Sequence, residues 1–364
     1  MDFSLTDEQQ ATADLARQIL TDRATHEKLR ELEKSGDVFF DRDTYLELAK
    51  AGLLGIAVPE DDGGAGLGLM ELSGVLQAVG KTGAAVPVWE SLAMGALPVA
   101  QFGSEDIRAQ WLPGVIDGTT VLTAAWHEDD RDPHAMSTTA TKSGDGYTVS
   151  GTKICVPAGQ IADAFVIPAV ADGGPSLFLV SNGAGVTITP LETTSGSPDA
   201  EITFDGAAAE LLATGGHAIL WSYERAIATQ NAVALGNAEA MLDLLSAYTK
   251  ERKQFDVPIA TFQAVGHRAA DCYIDTETIR LTAWQALSRL DEGLDASEEV
   301  SIAKFFAAWA GQRITLAAAH LHGGVGVDRD YPLARHYTKA KELELQLGGS
   351  TEHLVRLGRR LAAV

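Results

Sequence analysis

The spacing of apolar residues changes twice along this 364-residue chain, and these changes constrain its fold more than any other feature. Up to about residue 117, apolar residues recur every three or four positions, which is typical of amphipathic helices. From 118 to 216, short apolar runs alternate with turn-forming residues, which is typical of strands. Helical spacing then returns. We therefore predict an N-terminal helical domain (1–117), a central β-domain (118–216) and a C-terminal four-helix bundle (217–364).

Local signals support each of the three regions. Thr6 and Gln9 match the capping-box pattern, so a helix is predicted to begin there. The C-terminal region contains three long helical segments, at about 223–253, 261–290 and 296–321, whose lengths suit a four-helix bundle. The short strands of the central region favour a small antiparallel barrel or sandwich. The expected fold class is mainly α with an inserted β-domain.

Composition excludes several classes of function. The chain has 28 Lys and Arg against 50 Asp and Glu, giving a formal net charge of −22. Nucleic acids and anionic membranes attract clustered basic residues, so neither is an expected partner. Two widely separated cysteines, no signal-peptide pattern and no apolar run near the ~20 residues of a membrane span predict a cytoplasmic protein. The excess acid is expected on the surface, for example at Glu128, Asp129 and Asp130.

Two motifs in the C-terminal region carry binding chemistry. Glu251-Arg252-Lys253-Gln254-Phe255 supplies a permanent cation whose fork suits a diphosphate, and an aromatic ring suited to stacking. His320-Leu321-His322-Gly323-Gly324-Val325-Gly326 allows the backbone to approach a ligand closely. Each motif also has a purely structural interpretation, as a helix end with Arg252 beside Glu251 and as a plain turn. The two histidines lack the further ligands of a metal site, so no metal is expected.

Together with a glycine loop at 59–66 and the strand sequence Ser150-Gly151-Thr152-Lys153, these motifs resemble the acyl-CoA dehydrogenase family over nearly the whole chain. The resemblance implies that family's three-part fold, FAD as cofactor, an acyl-CoA thioester as substrate, and an electron-transfer flavoprotein as electron acceptor. It also implies an oligomer, because in the family the last two motifs reach across a subunit interface to a neighbour's flavin. The residues it places at the flavin are Arg252, Gln254, Phe255, Gln263, His320, Gly323, Gly324 and Gly326.

The catalytic base is where the sequence departs from the family. Family members desaturate the acyl chain with a Glu at one of two positions. One falls on Ala226 in this sequence, and the other on Leu347, or on Gly349 when counted from Ser350-Thr351. None of these residues has a carboxylate. Glu224 is the candidate base, but it lies two residues before Ala226, a rotation of about 200° on a helix. The alternative is a surface Glu in the first helical turn, where a negative charge is favourable.

The β-domain departs from the family as well. Cys155-Val156-Pro157 replaces the family's Trp-x-Thr, and residues 123–130 do not match its Thr-Glu-Pro segment. The retained cross-interface motifs and the missing base together resemble the base-lacking subunit of actinobacterial heteromeric acyl-CoA dehydrogenases of steroid side-chain catabolism. We therefore expect a subunit that completes the flavin site of a paralogous catalytic chain in a heterotetramer. Two alternatives stay open: a self-sufficient homotetramer that uses Glu224, and a flavin-free acyl-CoA-binding or scaffold subunit.

Overall fold

A computed structural model describes residues 4–129, 136–144 and 146–362, and these residues follow the predicted order of helices, strands and helices. The α-helices are α1 (Asp7–Arg23), α2 (His26–Ser35), α3 (Arg42–Lys50), α4 (Leu69–Thr82), α5 (Leu97–Phe102), α6 (Glu105–Ile116), α7 (Gly216–Glu251), α8 (Gln263–Asp291), α9 (Ser297–His322), α10 (Leu333–Leu345) and α11 (Ser350–Ala362). The strands are β1 (Leu122–Ala124), β2 (Thr139–Ser143), β3 (Gly146–Val156), β4 (Ala164–Ala171), β5 (Gly174–Ser181), β6 (Val186–Pro190), β7 (Ala200–Thr214), β8 (Lys253–Gln254) and β9 (Val257–Pro258).

The chain divides into two compact units. One, called the helical unit below, comprises residues 4–31, 69–84 and 227–362 of the described chain. The other, called the mixed unit, comprises residues 32–68 and the described part of 85–226. This division does not follow the three predicted domains, whose boundaries stay a prediction. Within the described ranges, no helix is long and apolar enough to cross a membrane.

The strands of the mixed unit form a closed barrel. Seven strands pair in the order β1-β4-β2-β3-β7-β5, β6 pairs with β7, and an additional β4–β5 pairing closes the ring. The prediction of a wholly antiparallel barrel is wrong in one respect, because β4 pairs in parallel with both β1 and β2. Alternating apolar side chains fill the interior. The largest are Phe165, Ile167, Phe178, Ile202 and Phe204.

Helix ends in the helical unit follow local sequence signals. The capping box is confirmed: Thr6 Oγ1 accepts a bond from Gln9 N (3.2 Å), and Gln9 Oε1 accepts one from Thr6 N (3.0 Å). Helices α8 and α9 begin and end within two residues of the predicted segments. Helix α7 instead begins at Gly216, well before the predicted 223, because the chain turns through Gly215 (φ +89°) directly after β7.

Helices α4 and α7 approach each other closely within the helical unit. A Cβ at Gly80 would lie 2.0 Å from the carbonyl oxygen of Val233, and one at Gly236 would lie 1.9 Å from that of Gln77. Only glycine permits such backbone contact. The crossing therefore fixes how the C-terminal part of α7, which leads to Arg252, is held against the N-terminal helices.

Candidate functional site

A two-stranded hairpin follows α7 and presents the first motif. Strands β8 and β9 pair antiparallel, and Phe255 and Asp256 at the tip have φ of +52° and +67°. The hairpin is anchored to the helix end, because Ile259 N donates to the Arg252 carbonyl oxygen (2.8 Å). Phe255 is 87% exposed and makes an edge contact with Phe262 at 6.1 Å between ring centroids. The local fold therefore displays a large aromatic ring to the outside.

The glycine turn caps α9 and uses its glycines in two different ways. Gly323 has φ of +64°, and an added Cβ at Gly323 or Gly324 would meet no atom within 4 Å. A Cβ at Gly326 would lie 2.6 Å from the carbonyl oxygen of Ala319, and Gly326 is buried. Gly323 and Gly324 therefore leave backbone open to a ligand, whereas Gly326 allows the turn to pack against α9.

These two motifs enclose one groove in the helical unit, with a volume of about 590 Å³. Five of the eight predicted flavin residues line it, namely Arg252, Gln254, His320, Gly323 and Gly324. The other lining residues are Tyr248, Ile259, Leu321, His322, Val325 and Asp328. Phe255 and Gln263 are exposed but do not line the groove, and Gly326 lies beneath the turn.

The two histidines of the turn differ in environment. His322 is buried; its Nδ1 donates to the Ala318 carbonyl oxygen (2.8 Å), and its ring stacks on Tyr248 at 4.5 Å. Burial lowers the pKa of His322, which favours the neutral ring. His320 is exposed, and its Nδ1 lies 2.6 Å from Nη1 of Arg268. Among the described residues, no group of three or more His, Cys, Asp or Glu side chains could hold a metal ion.

The donors around the groove fit an anionic diphosphate. Arg252 supplies a guanidinium and Gln254 an amide, and the turn at Gly324 lets a ligand approach the backbone closely. The N–H of Gly323 already donates to the His320 carbonyl oxygen. Asp328 is the lining carboxylate, and its Oδ1 accepts a bond from Asp330 N (2.9 Å), so this side chain serves the turn itself. The groove can therefore bind a phosphorylated ligand through one strong cation and several neutral donors.

The two positions at which the sequence resemblance places a base are buried and apolar. Ala226 is 0% exposed, and its carbonyl oxygen accepts a bond from Trp89 Nε1 (3.0 Å). Leu347 is 1% exposed, and its carbonyl oxygen accepts a bond from His353 Nε2 (2.8 Å). Glu224 is 6% exposed and lies more than two turns into α7, so the interpretation as a surface residue in the first turn is wrong.

The end of β3 and the turn that follows it depart from regular backbone. This is the stretch where Cys155-Val156-Pro157 stands in place of the family's Trp-x-Thr. Cys155 and Ala158 have φ of +49° and +53°. The turn is tied to β1, because Thr123 Oγ1 donates to the Pro157 carbonyl oxygen (2.7 Å). Proline supplies no N–H here, so a bound ring could receive no backbone bond from position 157.

Sequence reasoning missed a buried ion pair in the mixed unit. Glu128, expected on the surface, is 7% exposed and accepts a bond from Nζ of the fully buried Lys153 (2.7 Å). It also accepts bonds from the hydroxyls of Ser137 and Thr138, at 2.6 Å each. These donors hold the pKa of Glu128 far below its usual range. Lys153 lies inside a predicted barrel strand, and this position was the available sequence signal for a buried ion pair. Asp130, also expected on the surface, lies outside the described residues.

Comparisons with known proteins cover the whole chain. Three family models match: the acyl-CoA dehydrogenase N-terminal domain over residues 6–119, its middle domain over 128–207 and its C-terminal domain over 215–362. The chain is 39% identical over 373 residues to "Acyl-CoA dehydrogenase FadE27" of Mycobacterium tuberculosis, covering 100% of this chain and 99% of that protein.

Two similar solved structures are complexes of two different chains. A chain of the ChsE4-ChsE5 complex from Mycobacterium tuberculosis superimposes with a TM-score of 0.96 at 38% identity, covering 100% of both chains. A chain of the Tcur3481-Tcur3483 steroid ACAD, G363A variant, gives a TM-score of 0.94 at 40% identity and covers 98% of both. The predicted three-part fold is thereby confirmed, as an N-terminal helical part, a central barrel and a C-terminal helical part.

Proposed function

We propose that this chain, which belongs to the acyl-CoA dehydrogenase family, works as one subunit of an FAD-dependent enzyme. Members of the family are oxidoreductases that act on the CH–CH bond of acyl-CoA. In this proposal it completes the flavin site of a paralogous catalytic chain. The observation that carries the proposal is a contrast: Arg252 and His320 line an open groove, whereas Ala226 and Leu347 are buried and apolar.

The chain's own residues would bind and orient the dinucleotide. Arg252 would neutralise the diphosphate, and Gly324, which has no side chain, would let its oxygens approach the backbone closely. A bound FAD would supply the acceptor for the hydride that leaves the β-carbon of the acyl group, and a carboxylate would take the α-proton. We propose that this carboxylate belongs to the partner chain, since the two expected positions in this chain have none.

Exposed apolar side chains support a partner subunit. Monomeric proteins rarely leave large apolar groups uncovered together, and such groups often mark an interface. In the helical unit the side chains that are more than one-third exposed include Phe255 (87%), Val327 (71%), Ile274 (60%), Tyr273 (58%), Leu316 (58%), Val325 (38%) and Phe262 (37%). Several belong to the hairpin and glycine turn, so a second chain would cover them beside the groove.

The comparisons favour a heteromer and a steroid substrate. The names of the two solved complexes pair two different chains, and one is called a steroid ACAD. We extend both properties to this chain: a heterotetramer with a paralogous subunit, acting on a steroid-type acyl-CoA, with an electron-transfer flavoprotein as electron acceptor. A cytoplasmic location belongs to the same proposal.

Co-expression with the paralogous catalytic chain tests the proposal. We expect the purified complex to contain FAD, and Arg252→Ala to weaken FAD binding about 30-fold, as for the loss of a charge-assisted bond. Arg329→Ala is the matched control, because Arg329 is exposed in the same turn but does not line the groove. A complex whose FAD affinity is the same with and without Arg252 would contradict the proposal.

One observation favours the self-sufficient homotetramer. Glu224 is a buried carboxylate on α7, two residues before the position where the family resemblance places a base. If Glu224 were the base, the chain purified alone would bind FAD and reduce it with acyl-CoA, and Glu224→Gln would abolish that reduction. The flavin-free scaffold predicts instead a stable complex that never contains FAD.

A further inference from the structure

One cation beside the groove has no role in the proposed function. Arg268 lies near the start of α8, on a helix that packs against α9, and it does not line the groove. Its Nη1 lies 2.6 Å from Nδ1 of His320, which does line the groove. Both side chains are exposed, so the contact is not forced by burial in the core.

The chemistry of the pair determines which nitrogen of the ring carries the proton. A guanidinium has only donors and stays charged in proteins. Nδ1 of His320 must therefore accept from Arg268, and the ring proton lies on Nε2. As a result the ring keeps one donor, Nε2–H, on the side away from Arg268. Arg268, and not the ligand, thus determines which nitrogen of the His320 ring donates and which accepts.

We propose that Arg268 is a positioning residue for the dinucleotide site: it orients His320 so that Nε2–H donates to an anionic or hydroxyl oxygen of the ligand. This inference rests on the proposed function. Without Arg268, His320 is free to rotate and to carry its proton on either nitrogen, so part of the population loses the donor. Arg268 acts through His320 and does not touch the ligand itself.

A double-mutant cycle on the intact complex tests this role. FAD affinity is measured by flavin fluorescence on the reconstituted complex with Arg268→Ala, His320→Ala, the double variant and Arg268→Lys. We expect each single alanine variant to weaken FAD binding about ten-fold, and the double variant to bind no more weakly than His320→Ala. Arg268→Lys keeps a charged donor and should recover most of the affinity. Arg359→Ala, an exposed arginine on α11, is the control.

Two results would overturn the inference. One is an unchanged FAD affinity in Arg268→Ala, and the other is a double variant in which the two losses multiply, since residues that act independently are additive in free energy. A fall in the melting temperature of Arg268→Ala without rescue by lysine would also count against it. Arg252→Ala distinguishes failure of this inference from failure of the proposed function. If Arg252→Ala weakens FAD binding and Arg268→Ala does not, only the inference about Arg268 fails. If Arg252→Ala has no effect on FAD binding, the proposed function itself is contradicted.

Discussion

The groove at the glycine turn and the two positions expected to hold a base differ in every physical respect. The groove is open and lined by Arg252, Gln254 and His320, and an added Cβ at Gly324 would meet nothing. At Ala226 and Leu347, by contrast, the side chains are buried and the backbone carbonyls are occupied by bonds from Trp89 and His353. The family resemblance predicts a flavin-binding part and a catalytic base in this chain. The first coincides with an open groove, whereas the positions of the second are buried.

The backbone at Leu347, and not only its side chain, differs from what an open base position needs. Where a Glu is simply replaced, one expects a pocket into which a carboxylate could return. Here the position of Leu347 has φ of +56° and its carbonyl is bonded to the buried ring of His353. We therefore expect the surroundings of Leu347 to contribute to stability and the open groove to contribute to binding.

Acid should destabilise the helical unit, which buries His353 and His336. Burial lowers the pKa of His353 and of His336 from 6.5 to about 4. The unfolded chain therefore binds more protons between pH 6.5 and 4, and the stability present above pH 6.5 falls as the pH falls through this range. The loss is about 3 kcal/mol per ring, about 6 kcal/mol in all. Urea unfolding at several pH values would measure it.

Two substitutions check the source of this pH dependence. His353→Gln should reduce the proton uptake on unfolding by about one, because Gln does not titrate. His217→Gln replaces an exposed histidine and should leave the slope unchanged. Equal slopes in His353→Gln and the unsubstituted protein would show that the region around Leu347 is open to water.

Placing a carboxylate at position 226 should destabilise the protein without creating activity. Ala226→Glu places a charged, larger side chain where exposure is 0%. The expected cost is about 4 kcal/mol of unfolding free energy, from desolvation and overpacking. Ala11→Glu, on the exposed face of α1, should change stability by less than about 0.5 kcal/mol. If Ala226→Glu were as stable as this control, the distinction between an open groove and a closed base position would fail.

A pair of glycine substitutions should separate binding from packing within the turn itself. Gly324→Ala adds a methyl group that meets no atom of the chain, so stability should hold while FAD binding in the complex weakens about ten-fold. Gly326→Ala would place a Cβ 2.6 Å from the Ala319 carbonyl oxygen and should cost about 1–3 kcal/mol of stability. Thermal unfolding and FAD titration of both variants give the comparison; equal effects of the two on FAD binding and stability would contradict it.

The sequence predicts the helices of this molecule better than its interior polar contacts. Long periodic segments place α8 and α9 to within two residues, because apolar spacing over many turns averages out local exceptions. The short helix α2 was missed, since it is strongly polar and buries only Leu29. The barrel was predicted, but its parallel pairings with β4 depend on long-range topology that local patterns do not encode.

The candidate site was predicted in part for the same reason. Motif residues that lie close in sequence, such as Arg252 with Gln254, meet in the groove as expected. Contacts made across the fold were not foreseen: Lys153 with Glu128, and Arg268 with His320. Glu128 lies in an acidic run of the sequence, so only the fold could show that its carboxylate is bound to the buried Lys153.

The most direct test of the central claim is the turnover of the complex with Glu224→Gln in this chain. If the partner supplies the base, turnover with acyl-CoA should stay within about two-fold of the unsubstituted complex, because the amide keeps the shape of the buried side chain and the proton is taken elsewhere. Alanine at the partner's catalytic Glu should abolish turnover in the same assay. A fall of about 100-fold or more in Glu224→Gln, with FAD still bound, would show that this chain carries its own base and would contradict the account.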